Sequence, residues 1–200
     1  MRTGTRWALV ALVLAVAGVV ALWPRQPDQP SGQARAKVES TRPTQDLALA
    51  RNAAALRPCP QGVGGPEPLK GVQATCLGDG AAVDVATTVS SGPALINFWA
   101  TWCAPCQDEL KVLDTYAQQP GAVPVVAVQV QSKEADGLEL LARLGVHLPS
   151  LFDGSDALRK ALKAPQQLPV SFVVRADGSV TQVATPVVFT TPDQVREVVK

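Results

Sequence analysis

The chain has 200 residues and a formal net charge of +1. That length holds one ordinary domain plus attachments, and the near-neutral balance excludes the basic footprint of a nucleic-acid-binding protein. Apolar residues make up 46% of the chain, an ordinary share, but part of it is concentrated in one N-terminal block.

The block reads "RWALVALVLAVAGVVALWPR". No charge falls between Trp7 and Trp23, Arg2 and Arg6 precede the run, and a Trp stands at each end, as at the two interfaces of a bilayer. Residues 1–23 are expected to form a signal anchor with a single membrane-spanning helix, at the short limit of the span a bilayer needs. A cleaved signal peptide is the alternative. Its best small-residue site, Ala15-Val16-Ala17, lies inside the apolar stretch, where cleavage is badly placed. Both alternatives keep the basic end inside and export the rest of the chain. Residues 24–43, rich in Pro, Gln, Ser and charge, read as a flexible tether.

Residues 44–68 form an N-terminal extension, with an Ala/Leu-rich helix capped by Thr44 and ended by Pro58. The main domain is expected over residues 69–200. It opens with a hairpin, "LKGVQATCLGDGAAVDVA", turning at Gly78-Asp79-Gly80. "ALINFW" and "VPVVAVQV" are apolar enough to be strands buried on both faces. Between them Cys106, Leu110, Leu113 and Ala117 follow one helical stripe, stopped by Pro120-Gly121. Ser132 is expected to cap a helix with Leu138, Leu141 and Ala142 inward, ending at Gly145. Another short helix is expected over residues 155–163. "VSFVVRADGSVTQVA" is a hairpin turning at Asp177-Gly178, and Thr191-Pro192 opens a last helix with Val195, Val198 and Val199 on one face. Together these give an α/β domain: a βαβ unit extended by antiparallel strands into a mixed sheet with helices on its faces. No internal repeat is visible.

The chemistry concentrates in "FWATWCAPCQDEL", Phe98 to Leu110. Attachment of c-type haem needs Cys-x-x-Cys-His, and here Gln107 follows Cys106. A zinc site needs four ligands, but the chain has one His, and Cys59 and Cys76 make no second Cys-x-x-Cys. A purely structural staple across two residues constrains little, because a short loop has little closure entropy to lose. Redox exchange is the reading that remains, with no metal and no cofactor. Cys103 is expected where a strand ends and a helix begins. Free backbone N–H groups and the positive end of the helix dipole there favour a thiolate. Cys106, one turn on, is expected to be shielded and to resolve the mixed disulfide that Cys103 forms.

"NFWATWCAPCQDEL" resembles the active-site segment of thioredoxin-like proteins, specifically the TlpA/ResA group of membrane-tethered bacterial thiol-disulfide oxidoreductases. The resemblance covers roughly Leu69 to Lys200. It implies a thioredoxin-like fold and a cis-proline just before a strand, for which "QQLPVSFVV" offers Pro169. It also implies that Pro169 lies against the cysteine pair and that the backbone of Leu168 pairs with an extended substrate. Cytosolic thioredoxins usually carry a buried Asp before the Phe-Trp, where this chain has Asn97. In the resembled group an acid follows three residues after the second cysteine, and Glu109 holds that position, implying a role in tuning the thiols and moving a proton. The competing view takes Asp108 and Glu109 as ordinary first-turn acids. Trp102 is expected to line the site, and Trp99 to be core.

Export lets disulfides persist. A Cys59–Cys76 bridge is expected to pin the extension to the domain, worth about 3 kcal/mol by loop entropy; a second redox pair is the alternative. His147 is expected to be a surface or packing residue. Ala104 and Pro105 between the cysteines supply no His to stabilise a thiolate, which points to a reductase of exported protein disulfides. The resemblance implies a membrane thiol carrier as electron donor and apocytochrome c as a frequent client, hence cytochrome c maturation. An oxidase or isomerase for exported proteins, or a non-catalytic module that delivers metal or senses redox state, are the alternatives.

Overall fold

The structure is a computed structural model and describes residues 46–200. The expected anchor (1–23) and tether (24–43), and the Thr44 cap, lie outside the described residues. The described residues belong to one compact unit, with no break between the segment before residue 69 and the domain after it. Among the described residues no helix is long and apolar enough to cross a membrane.

Helix α1 covers residues 46–54. It ends earlier than expected from Pro58, because Ala55 turns into the left-handed region with φ 46°. A 3-10 turn, Glu67–Leu69, leads into β1 (Gln73–Cys76) and β2 (Ala82–Asp84), an antiparallel hairpin. A one-turn helix α2 (Val85–Thr88) follows, capped by the Asp84 carboxylate on the Ala86 N–H. Then come β3 (Ala94–Trp99), α3 (Ala104–Ala117), β4 (Val125–Gln129), α4 (Glu134–Leu144), β5 (Ser150–Phe152), α5 (Ala157–Ala161), β6 (Val170–Val174), β7 (Val180–Gln182) and α6 (Pro192–Val198).

The strands form one mixed sheet of seven, in the order β2-β1-β5-β4-β3-β6-β7. β3 pairs parallel with β4 and β4 with β5, while β6 joins β3 antiparallel. All six residues of β3 are buried, as its apolar run demands. The alternation of a strand divides them between two cores. Leu95 and Trp99 face the layer of α3, α4 and α6, where they meet Leu110, Leu113, Leu138, Leu141 and Val195. Ala94, Ile96 and Phe98 face the other side, where Leu69, Val85, Val89 and Leu158 cover them and Phe98 meets Phe172 edge-on at 5.8 Å. Asn97, between Ile96 and Phe98, therefore points toward α3. That one parity decides the chemistry of the site.

Two helix starts differ from expectation. Ser132 does not cap α4: its hydroxyl donates to the Val130 carbonyl, and Lys133 takes the N-cap position without a side-chain bond. The side-chain amide of Gln129 holds this corner instead, donating to the Ser132 hydroxyl and the Lys133 carbonyl. α5 is shorter than residues 155–163. The Asp153 carboxylate accepts from the N–H groups of Ala157, Leu158 and Arg159 and so fixes where the helix begins. α6 starts as read, with a capping box between Thr191 and Gln194.

Cys59 and Cys76 are joined by a disulfide, with their Cα atoms 6.1 Å apart and a sequence separation of 17. Both are buried. Nearby, Arg57 donates to the buried Asp114 carboxylate at 2.8 Å and to the His147 carbonyl. The His147 ring nitrogen Nδ1 lies 3.1 Å from the Ala54 carbonyl oxygen. His147 is thus a packing residue that fastens the end of α1. Replacing both cysteines with serine is expected to lower unfolding stability by about 3 kcal/mol through the freed loop. A lower urea midpoint, with the active cysteines intact, would show it; an unchanged midpoint would leave the bridge without a stabilising role.

Candidate active site

The site forms where β3 delivers the chain into α3. Cys103 is the N-cap residue of this 14-residue helix, and Ala104 and Pro105 start the first turn. Pro105 fits there because its missing N–H would have had no helical partner. The Cys103 sulfur accepts from the backbone N–H of Cys106 at 3.3 Å. It therefore occupies the place of a capping oxygen, at the positive end of the helix. Both effects favour negative charge on that sulfur once the thiol form is generated.

In this structure the two cysteines are bonded to each other, Cα to Cα 5.3 Å. Cys103 is 4% exposed and Cys106 not at all. The pair is therefore asymmetric: Cys103 precedes the helix and keeps a trace of exposure, and Cys106 belongs to the buried stripe of α3 with Leu110 and Leu113. Trp102 is 61% exposed beside it, its indole N–H donating to the Gln131 carbonyl at 3.1 Å. An exposed, hydrogen-bonded indole next to Cys103 is a ready apolar platform. Trp99, by contrast, is fully buried.

The Leu168-Pro169 peptide bond is cis. Pro169 is buried and Leu168 half-buried. The β3–β6 ladder ends at the Phe98–Val170 pair, so Leu168 lies two residues beyond it.

Glu109 departs most from an ordinary helix acid. Its neighbour Asp108 is an exposed side chain paired with Lys111. Glu109 is only 1% exposed. It shares the buried face of α3 with Cys106, three residues away. One carboxyl oxygen accepts from the side-chain amide of Asn97 at 2.7 Å, and the other from the Phe189 backbone N–H at 2.8 Å. Asn97 also donates to the Ser171 hydroxyl at 3.0 Å. Burial raises the Glu109 pKa from the usual 4.5 to about 7; the Phe189 and Asn97 hydrogen bonds favour the anion and hold back part of that rise. The carboxyl is thus poised to exchange a proton near neutrality. A cleft of about 300 Å³, lined by Pro105, Asp108, Glu109, Val112, Val188, Phe189 and Thr190, opens beside it.

Two residues of this network are not signalled by the Cys-x-x-Cys motif: Ser171, which accepts from Asn97, and Phe189, which donates to Glu109. Ser171 carries a faint signal: it is the one polar residue in "VSFVV", as Asn97 is in "ALINFW", and the two are cross-strand partners. Phe189 carries none, since it contributes a backbone N–H from a loop 80 residues away. Among the described residues no group of three or more His, Cys, Asp or Glu side chains could hold a metal ion.

The Redoxin family matches residues 61–199. Over 94 residues the chain is 30% identical to the thiol-disulfide oxidoreductase ResA of Geobacillus kaustophilus, a match covering 45% of this chain and 52% of that protein. It is 33% identical over 88 residues to the thiol:disulfide interchange protein CycY of Rhizobium leguminosarum, covering 43% of this chain and 46% of that one. The chain thus spans about half the length of the curated relatives it matches. Among solved structures, a secreted Mycobacterium tuberculosis disulfide oxidoreductase homologous to E. coli DsbE superposes with a TM-score of 0.58 at 26% identity, covering 66% of this chain and 96% of that chain. M. tuberculosis dsbF, in mixed oxidised and reduced forms, gives 0.57 at 25%, covering 68% and 96%. The sheet is thioredoxin-like, the cysteine pair sits at the strand-to-helix junction, and the family match runs through both: this chain belongs to the Redoxin family.

Proposed function

We propose that this protein is an extracytoplasmic thiol-disulfide oxidoreductase that reduces disulfides of exported proteins. The observation that carries the proposal is the Cys103 sulfur capping α3 with Cys106 buried behind it. In the reduced protein the Cys103 thiolate attacks one sulfur of a client disulfide. A mixed disulfide forms, and the other client sulfur leaves as a thiolate that takes up a proton. Cys106 then gives its proton to Glu109 and attacks the Cys103 sulfur, expelling the second client thiol. One client disulfide has become two thiols, and the protein is left with the Cys103–Cys106 disulfide seen here. A dithiol donor restores it, and a membrane thiol carrier fits an exported enzyme.

In this scheme Glu109 is the proton acceptor and donor for Cys106. Its raised pKa matches the task, since a carboxyl that titrates near the working pH can both take and return the proton. Leu168 offers backbone groups beyond the end of the ladder to an extended client strand, Pro169 shapes that edge against the cysteines, and Trp102 lines it. The direction of exchange follows from Ala104-Pro105: nothing between the cysteines adds a charge that would favour the reduced form, which is what makes a site oxidising. The reading extends to apocytochrome c as client, hence to cytochrome c maturation, and to residues 1–23 as a membrane anchor.

The deciding experiment equilibrates the full chain with a peptide bearing an oxidised Cys-x-x-Cys-His. The expected result is net reduction of the peptide with oxidation of Cys103 and Cys106. Net oxidation of the reduced peptide under the same conditions would make the protein an oxidase. No exchange in either direction would remove the redox role.

A further inference from the structure

α5 is a short helix near the surface, yet Arg159 on it is only 4% exposed. Its Nε and Nη1 atoms are buried and have no hydrogen-bond partner among the described residues. The Asp156 carboxylate stands 3.9 Å from Nε, too far for a hydrogen bond. A buried guanidinium with donors unspent is unfavourable unless an acceptor arrives. The Arg159 side chain lines an open cleft of about 220 Å³ together with Asp156, Lys160, Lys163, Ala164 and Gln166. Three cationic residues and one acid line it, the Lys160 ammonium donating to the Ser155 carbonyl at 3.2 Å. The guanidinium of Arg159, with the cationic side chains of Lys160 and Lys163 at the same cleft, fits an oxyanion, and a carboxylate above all.

The position of the cleft says where that carboxylate comes from. Lys163, Ala164 and Gln166 belong to the segment that runs directly into Leu168 and the cis-Pro169. The Gln166 side-chain carbonyl accepts from the Gln131 amide at 3.0 Å, and the Gln131 backbone carbonyl accepts from the Trp102 indole. One line of contacts thus ties the cleft to the residue next to Cys103. We propose that this cleft receives an aspartate or glutamate side chain of the client polypeptide, so that disulfides flanked by acidic residues are preferred substrates. The proposal rests on the redox reading above for its client, but not for its binding chemistry.

The test uses the full chain in detergent, with arginine side chains labelled by ¹⁵N. Two peptides are compared that differ only in carrying Glu or Gln near the cysteine position, with serine in place of cysteine so that no exchange occurs. The Glu peptide is expected to shift the Arg159 Nε signal and to bind about tenfold more tightly than the Gln peptide. The preference is expected to shrink as salt rises from about 0.05 to about 0.5 M, and in the Lys160→Gln/Lys163→Gln double variant. Both lysines are exposed, so that variant leaves the core intact. The disulfide forms of the two peptides then give the ratio of kcat/KM, expected to favour the acidic one mainly through KM. Equal binding of both peptides, or an Arg159 signal that does not move, overturns the proposal. Inorganic phosphate or acetate binding as tightly as the Glu peptide overturns the client assignment in favour of a free anion. Failure of the redox reading appears separately: hydroxyethyl disulfide, small and uncharged, is then not reduced, while the binding comparison still decides the cleft.

Discussion

Cys103→Ser is expected to reduce insulin disulfides no faster than the uncatalysed background, a loss of about a thousandfold or more. The argument is one of position. A serine hydroxyl at the N-cap accepts the Cys106 N–H as well as the sulfur does, so the helix and its stability are kept. What goes is the sulfur of the less buried cysteine of the pair. Cys106→Ala has a different signature: the first exchange proceeds, but nothing expels the client, and a mixed disulfide on Cys103 accumulates. Mass spectrometry of the alkylated, unreduced sample detects it and identifies the client. Turnover by Cys103→Ser comparable with the parent protein would mean that Cys106 is accessible and that the asymmetry described above is not used. No adduct on Cys106→Ala, with a reactive Cys103, would argue against client exchange.

The second large effect is expected from Glu109→Gln. The amide is nearly the same shape and can still accept from Phe189, but it cannot carry a proton from Cys106. Above pH 7 the turnover of the variant is expected to fall by about ten- to a hundredfold, within the range of a lost general base. The ionisation near 7 should vanish from its pH profile. A stability measurement makes an independent check. The folded protein holds the Glu109 proton up to about 7, whereas an unfolded chain releases it at about 4.5. Between those values the folded state binds more protons, so this carboxyl makes stability fall as pH rises through the interval. The fall amounts to about 3 kcal/mol by the end of it. Glu109→Gln has no such term. Urea midpoints at about pH 5 and about pH 8 should therefore converge for the variant and differ for the parent. If both proteins show the same pH dependence of rate and midpoint, Glu109 is a structural residue only.

Much of this was legible from local signals, and what was hidden was hidden for physical reasons. "ALINFW" declared a strand buried on both faces because it has no polar side except Asn97, and the cysteine stripe declared the helix after it. Junctions set by such neighbouring residues are readable. The environment of Glu109 is not, because a carboxylate beside an exposed Asp108 looks like any helix acid until β3 parity and a distant loop enclose it. Asp153 and Arg159 illustrate the same limit. One spends its carboxylate on three backbone N–H groups and fixes the start of α5; the other carries its charge inward from that same helix. Asp153 answers a need of the backbone, Arg159 is buried with donors unpaired, and no sequence spacing records either.

The fastening at the end of α1 has a mechanical consequence. Tension applied to the chain ahead of residue 46 is carried first by that helix, which can unravel turn by turn. It then meets the Arg57–Asp114 ion pair and, two residues later, a covalent link from Cys59 into β1. The ion pair passes load to the C-terminal half of α3 and the covalent link passes it to β1, next to the edge strand β2, whereas the Cys103 and Cys106 sulfurs sit at the opposite, N-terminal end of α3. Tension from that side would therefore reach the covalent link before it reaches the N-terminal end of α3.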